Sequence, residues 1–247
     1  MTSPSGQPSI EIFGVLIMEP VVTLTDLLVT AVCFYAYYQL RKLNYEGRSH
    51  QYLRLYFLIM GLATAFGGIT GHAFQYALGI EWKLPGWLIS MLAISALERG
   101  IISFLSPIVS KRVSSFLEIA NIIELLTFAV VSFVTLNFFY VQVHSAYGLG
   151  LVVFPVCFYA FWKTGNKGAQ IICISVLFTT LAAFFYTSKL SISPWFNHLD
   201  ISHVVMAIGT YFFYRGAVIM GNISKVSYRK KKISFGSAWV ELFSKNS

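Results

Sequence analysis

Seven apolar runs, each long enough to cross a bilayer and separated by short connectors, limit what this chain can fold into. They fall at about residues 14–40, 52–79, 84–106, 115–137, 138–162, 169–190 and 195–220. A spanning helix needs about 20 mostly apolar residues, and each run supplies them. Only 11% of the residues are charged and the mean hydropathy is +0.68. A soluble domain carries about 25% charged residues, so a chain this poor in charge cannot hydrate the surface of a soluble globule of its size. The expected fold is all-α, a polytopic bundle of seven transmembrane helices. Residues 1–13 precede it as an extracytoplasmic segment, 14–220 form the membrane domain, and 221–247 form a basic cytoplasmic tail. The fourth and fifth runs are the least clearly separated, because "LNFFYVQVH" gives only a polar hint of a turn.

Lysine and arginine near the helix ends set the expected orientation. Arg41, Lys42, Arg48 and Arg54 follow the first run, Lys111 and Arg112 the third, and Lys163 and Lys167 the fifth. Lys225, Arg229, Lys230, Lys231, Lys232 and Lys245 follow the seventh, whereas Lys83 and Lys189 alone fall on the other side. This asymmetry requires an odd number of spans, with the N-terminus outside and the C-terminus in the cytoplasm. It also accounts for the net charge of +8 without nucleic acid, for which no motif is visible. The tail "SYRKKKISFGSAWVELF" reads either as an interfacial segment on an anionic leaflet or as a stop-transfer cluster with a disordered end. Cys33, Cys157 and Cys173 lie inside apolar runs without metal-like spacing, which indicates buried thiols. The N-terminal stretch lacks the basic and apolar pattern of a cleaved signal peptide.

Ionisable residues at bilayer depth are costly and are functional candidates by default. The expected orientation gathers Asp26, His72, His144, His198, Asp200 and His203 into one outer-leaflet layer drawn from four helices. A deeper set comprises Glu98, Arg99, Glu118, Asn121 and Glu124. Asp200 and His203 are three residues apart and share a helix face, whereas His198 is turned away. With His72 from the second helix, they make a candidate zinc site of two imidazoles, a carboxylate and an open water position. Asp26 is the candidate catalytic group that orients or deprotonates the water. The alternative for each residue is an interfacial or helix-bridging hydrogen bond. His198 and His144 are the members for which that alternative is favoured.

Two stretches carry a family resemblance. "DISHVVMAIGTYFFY" is similar to the last transmembrane helix of the alkaline ceramidase group, and "FGGITGHAFQY" matches its second-helix histidine. That group belongs to the CREST superfamily of seven-helix membrane hydrolases, with the adiponectin-receptor-like proteins. The resemblance implies an N-out, C-in bundle binding Zn²⁺, with metal roles on His72 and His203, in a distant bacterial branch of the cytoplasmic membrane. Several positions depart from the pattern. The second histidine of the last helix is replaced by Leu199, the family serine by Gly68 with Thr70 the nearest hydroxyl, and the family aspartate by Lys83. Asp26, or less readily Glu98, is the acid available to stand in.

The reading that follows is a zinc-dependent integral membrane hydrolase acting on a lipid-like amide or ester, with membrane lipids as partners and the oligomeric state open. A retinal protein is excluded, because residues 195–220 contain no lysine for a Schiff base. Two alternatives remain. One is a proton-coupled transporter using Glu98, Glu118 and Glu124 as a relay. The other is a seven-helix receptor or scaffold in which Glu118, Asn121 and Glu124 join helices.

Overall fold

The computed structural model describes residues 6–220. The expected basic tail, 221–247, lies outside the described residues. Seven helices are long and apolar enough to cross a membrane: Pro20–Lys42, Arg48–Ala73, Ile80–Ile108, Lys111–Thr135, Phe138–Thr164, Lys167–Ser188 and His198–Met220. They are called the first to seventh spans below. This is the all-α bundle expected of a multi-pass integral membrane protein. Leu24, Phe116, Ile123, Val134, Leu151, Trp162 and Leu177 face outward, as lipid-facing side chains do.

The expected first run begins too early at residue 14. Ile10–Ile12 and Val15–Ile17 instead form a small antiparallel hairpin. Its turn, Phe13–Gly14, has positive φ at both residues (51° and 76°), the backbone of a tight hairpin turn. The helix proper starts at Pro20, which needs no N–H partner at a first-turn position. The ambiguous boundary between the fourth and fifth spans is a two-residue turn. Leu136 closes one helix in the left-handed region, and the Asn137 side chain accepts the Phe139 N–H to open the next.

Two spans are interrupted by π-turns, Gly67–Ala73 in the second and Gly148–Val153 in the fifth. Their i→i+5 bonds run from Phe74 N–H to Ile69 O and from Phe154 N–H to Leu149 O. The third span is the most enclosed, burying Met91, Leu97, Ile101 and Ile102 along its length. It packs broadly against the second span, and the sixth packs against the seventh. The latter contact is close enough that a methyl group at Gly168 would overlap the Met220 backbone, and Gly216 sits against the Gly168 carbonyl. Small residues allow this approach, which supplies packing where lipid provides no hydrophobic drive.

Candidate functional site at the head of the first, second and seventh spans

The site is built around Asp26, one turn into the first span and 6% exposed. His72 reaches it from the π-turn of the second span, with Nε2 3.7 Å from Asp26 Oδ2. His203 reaches it from the seventh, with Nε2 3.5 Å from Asp26 Oδ1. The two rings stand edge to face, centroids 6.2 Å apart. The backbone makes this approach possible at Gly68, where a Cβ would lie 3.0 Å from Asp26 Cβ and 3.4 Å from the Thr23 carbonyl. The Thr23 hydroxyl donates to Gly68 O at 3.3 Å and ties the first span to the π-turn.

The far nitrogen of each ring is held. His72 Nδ1 lies 2.6 Å from Glu19 Oε2, and Glu19 is buried. Glu19 occupies the left-handed region (φ 46°, ψ 52°) immediately before Pro20, which aims its side chain across to the second span. The neighbouring Met18 N–H donates to Ala73 O at 3.0 Å, fixing the same junction. His203 Nδ1 lies 3.1 Å from Thr25 Oγ1. Thr25 in turn has its hydroxyl proton directed to Val22 O at 3.0 Å, leaving its oxygen to accept. Both histidines are therefore assigned as Nδ1–H tautomers from their bonding. Both Nε2 atoms then face the Asp26 carboxylate. Lys83 lays its stem along Gly71 and interacts electrostatically with Glu19 and Asp26.

Asp200 stands one bond behind the histidine. Its Oδ2 accepts the Asn197 backbone N–H at 2.7 Å and the Gln7 amide at 3.1 Å, while Oδ1 faces the Thr25 hydroxyl at 3.5 Å. The Asn197 side chain accepts the Leu199 N–H at 2.9 Å. The third helical residue thus bonds back to the backbone of the residue before the helix, whose own side chain takes the second helical N–H, a variant of the capping box in Asn/Asp form. The polar start of the seventh span is thus largely its cap. Gln7, 2% exposed, links this cap to the first span, because its Oε1 accepts the Val21 and Val22 N–H groups at 3.0 and 3.2 Å. Among the described residues, no group of three or more His, Cys, Asp and Glu side chains stands close enough, as placed, to hold a metal ion.

The remaining candidates separate. His198 packs on Tyr186 and lines the cavity without joining the Asp26 set. His144 does not join the Asp26 set: it is fully buried and paired with Glu124 at 2.5 Å. Arg99 donates to Asn121 Oδ1 at 2.9 Å and to the Glu118 carbonyl at 3.2 Å. Glu19, Thr25, Gln7 and Lys83 escaped the sequence reading.

Beside the Asp26 set lies a cavity of about 1250 Å³ between the spans. Its polar wall holds Glu19, Asp26, His72, Lys83 and His203, and its apolar wall includes Met60, Trp87, Leu149, Met206 and Phe213. Residues 21–222 match a protein-family model described as "Family of unknown function (DUF6962)". No curated protein and no solved structure matches the chain.

Proposed function

The chain belongs to that family of unknown function, and we propose that it is a metal-dependent membrane hydrolase acting on a lipid-like amide or ester. The supporting observation is the convergence of two imidazole Nε2 atoms on one buried carboxylate, with both Nδ1 atoms tied behind them. An unprotonated Nε2 and a carboxylate that face one another repel unless a cation, a proton or a metal ion, lies between them. Charge points the same way: Glu19, Asp26 and Asp200 are three buried carboxyls, and Lys83 supplies one positive charge. A divalent ion would balance the set.

The donor chemistry fits zinc. The Nε2–oxygen separations of 3.5 and 3.7 Å are longer than direct hydrogen bonds, as they would be for groups that share a cation. His72, His203 and Asp26 would hold the ion. Asp200 passes from ligand to support, and Asp26 from base to ligand, relative to the sequence expectation. Bound zinc would supply a water acidic near pH 7 and polarise a carbonyl. Glu19 and Thr25 fix the tautomer and direction of each ring, the partner role that metal-binding histidines need. The Lys83 ammonium offers N–H groups to the oxygen on which charge develops. The cavity exceeds the ~300–1,000 Å³ of an ordinary small-molecule site and combines a polar wall with an apolar one, as an amphipathic substrate requires. Gly68, without a side chain, leaves the room that Asp26 fills. In the charge-derived orientation, N-terminus outside, the site lies in the outer leaflet of a bacterial cytoplasmic membrane.

The test is metal analysis on the purified full chain, followed by a panel of lipid amides and esters. About one zinc per chain is expected, lost in His72→Ala, His203→Ala and Asp26→Asn together with any hydrolysis. Carefully prepared wild type without stoichiometric metal would overturn the proposal and leave a salt-bridged His–Asp cluster.

A further inference from the structure

A second buried polar centre lies apart from the Asp26 set, between the third, fourth and fifth spans. His144 Nε2 faces the Met91 carbonyl at 3.1 Å and must carry hydrogen there, because a carbonyl only accepts. Its Nδ1 faces Glu124 Oε1 at 2.5 Å, so one further proton lies on the His144–Glu124 axis. Glu98 is 0% exposed, and neither of its carboxyl oxygens makes a well-formed hydrogen bond among the described residues, the Asn121 side chain being a polar neighbour that acts on it only weakly. Glu124 Oε2 is likewise unpartnered.

The neighbours of Glu98 do not neutralise it by contact. Arg99, next in the chain, directs its guanidinium to Asn121 Oδ1 and the Glu118 carbonyl. Asn121 Oδ1 is further occupied by the Ser95 hydroxyl at 3.0 Å, and its amide points to Ser95 O at 3.4 Å. The titratable and charged groups acting on the Glu98 carboxyl are Glu124 and Arg99, with His144 and Tyr147 on the fifth span. The second span, packed along another side of the third, brings Leu53 and the Ser49 carbonyl to Gly100.

The site is shaped around the carboxyl. It rests on Gly148, the first residue of the fifth-span π-turn, where a Cβ would lie 2.5 Å from Glu98 Oε1 and 2.7 Å from Ile94 Cγ2. Ile94, Ser145 and Leu149, from the same two segments, line the cavity. A π-turn inside an α-helix is commonly found at a functional site, and this one makes room for a single acidic group.

We propose that Glu98, with the Glu124–His144 pair, forms a proton-binding site, and that Glu98 holds its proton when the fifth-span π-turn is packed against it. An ionised carboxylate at this depth, with neither oxygen bonded, is the costly alternative. Loss of the proton sets a bare negative charge under Gly148 and beside Glu124, and so loosens the cavity wall formed by Ile94, Ser145 and Leu149. The site is independent of whether the Asp26 set binds metal.

The test is infrared spectroscopy of the full chain in lipid nanodiscs, with thermal unfolding as a function of pH. The wild type at neutral pH shows the C=O stretch of a protonated buried carboxyl, which Glu98→Gln removes and Glu124→Gln retains. The folded state binds a proton that the unfolded state lacks at neutral pH, so stability falls as pH rises. The wild-type unfolding midpoint therefore drops on alkalinisation as the band disappears, and Glu98→Gln loses that dependence. Should Glu98→Gln not fold, Glu98→Asp shifts the band instead. No band in the wild type, or a band unmoved by both variants, overturns the proposal. So does a wild-type midpoint raised specifically by sodium, which would make the occupant a metal cation.

Discussion

Replacing Asp200 by Asn separates a cap from a metal ligand, since the two roles predict opposite pairings of stability and metal content. The Asp200 carboxylate accepts two short bonds, from the Asn197 N–H at 2.7 Å and the Gln7 amide at 3.1 Å, in a fully buried setting. A hydrogen bond to a charged group contributes about 1.5–3 kcal/mol, and a lost cap costs about 0.5–2 kcal/mol. Asn keeps one oxygen for the Asn197 and Gln7 donors and can turn its NH₂ towards Thr25 Oγ1, so the expected loss is about 1–2 kcal/mol. Ala strands both donors and is expected to cost about 3–5 kcal/mol. Reversible unfolding in mixed detergent measures these losses, and metal analysis of the same samples gives zinc content. Asp200→Asn should lose stability and retain zinc. Asp26→Asn should retain the fold and lose zinc, because Asp26 bridges the Nε2 atoms of His72 and His203. A metal-free Asp200→Asn of wild-type stability, beside a zinc-bearing Asp26→Asn, would refute the reasoning and make Asp200 the ligand.

Other perturbations follow from individual contacts. Gln7→Ala removes the acceptor of the Val21 and Val22 N–H groups and one partner of Asp200, and should cost about 1–3 kcal/mol in the same unfolding assay. His144→Ala leaves Glu124 buried without its counter-charge and should cost about 3–5 kcal/mol, with zinc content unchanged. Chelation of the wild type should lower its stability by the binding contribution, about 2.7 kcal/mol for metal at 100 times its dissociation constant. His203→Ala should show no response to chelator. Lys83→Met should keep zinc and reduce kcat at least about tenfold, or about 1.4 kcal/mol of transition-state stabilisation. An unaltered kcat would remove Lys83 from the chemistry.

The seven spans were legible because hydropathy reports a property of whole segments, and lipid demands it of each. His72, His203 and Asp26 were legible as individuals because ionisable groups are rare in such segments. Their grouping was less so. Helical spacing placed Asp200 and His203 on one face, which is correct, but spacing does not tell which of two carboxylates meets the imidazole. The capping box in "NHLD" was the missed signal: an Asn before the helix and an acid three residues later predict that the acid folds back to the helix start. Glu19 and Gln7 belong to irregular backbone before Pro20, where no periodicity exists to read. His144 was placed in the outer layer by its distance from the helix end. Depth along the membrane normal does not specify the partner, and that is Glu124 on the adjacent span.

The two π-turns join these observations. A regular α-helix turns about 100° per residue, so inserting one residue into a turn rotates everything beyond it relative to what precedes it. In the second span the widened turn carries His72, and its glycines let Asp26 approach Gly68 while Lys83 lies over Gly71. In the fifth span the widened turn begins at Gly148, against the Glu98 carboxyl. Each of these two centres, around Asp26 and around Glu98, therefore has a distorted helix turn as one wall. Irregular backbone at membrane depth is tolerated only where protein or a cavity surrounds it, and both turns border the same cavity, through Gly67 and Gly71 on one side and Leu149 and Gly150 on the other. The cavity is bounded by the two places where the helices are least regular, and the Asp26 and Glu98 centres are placed there.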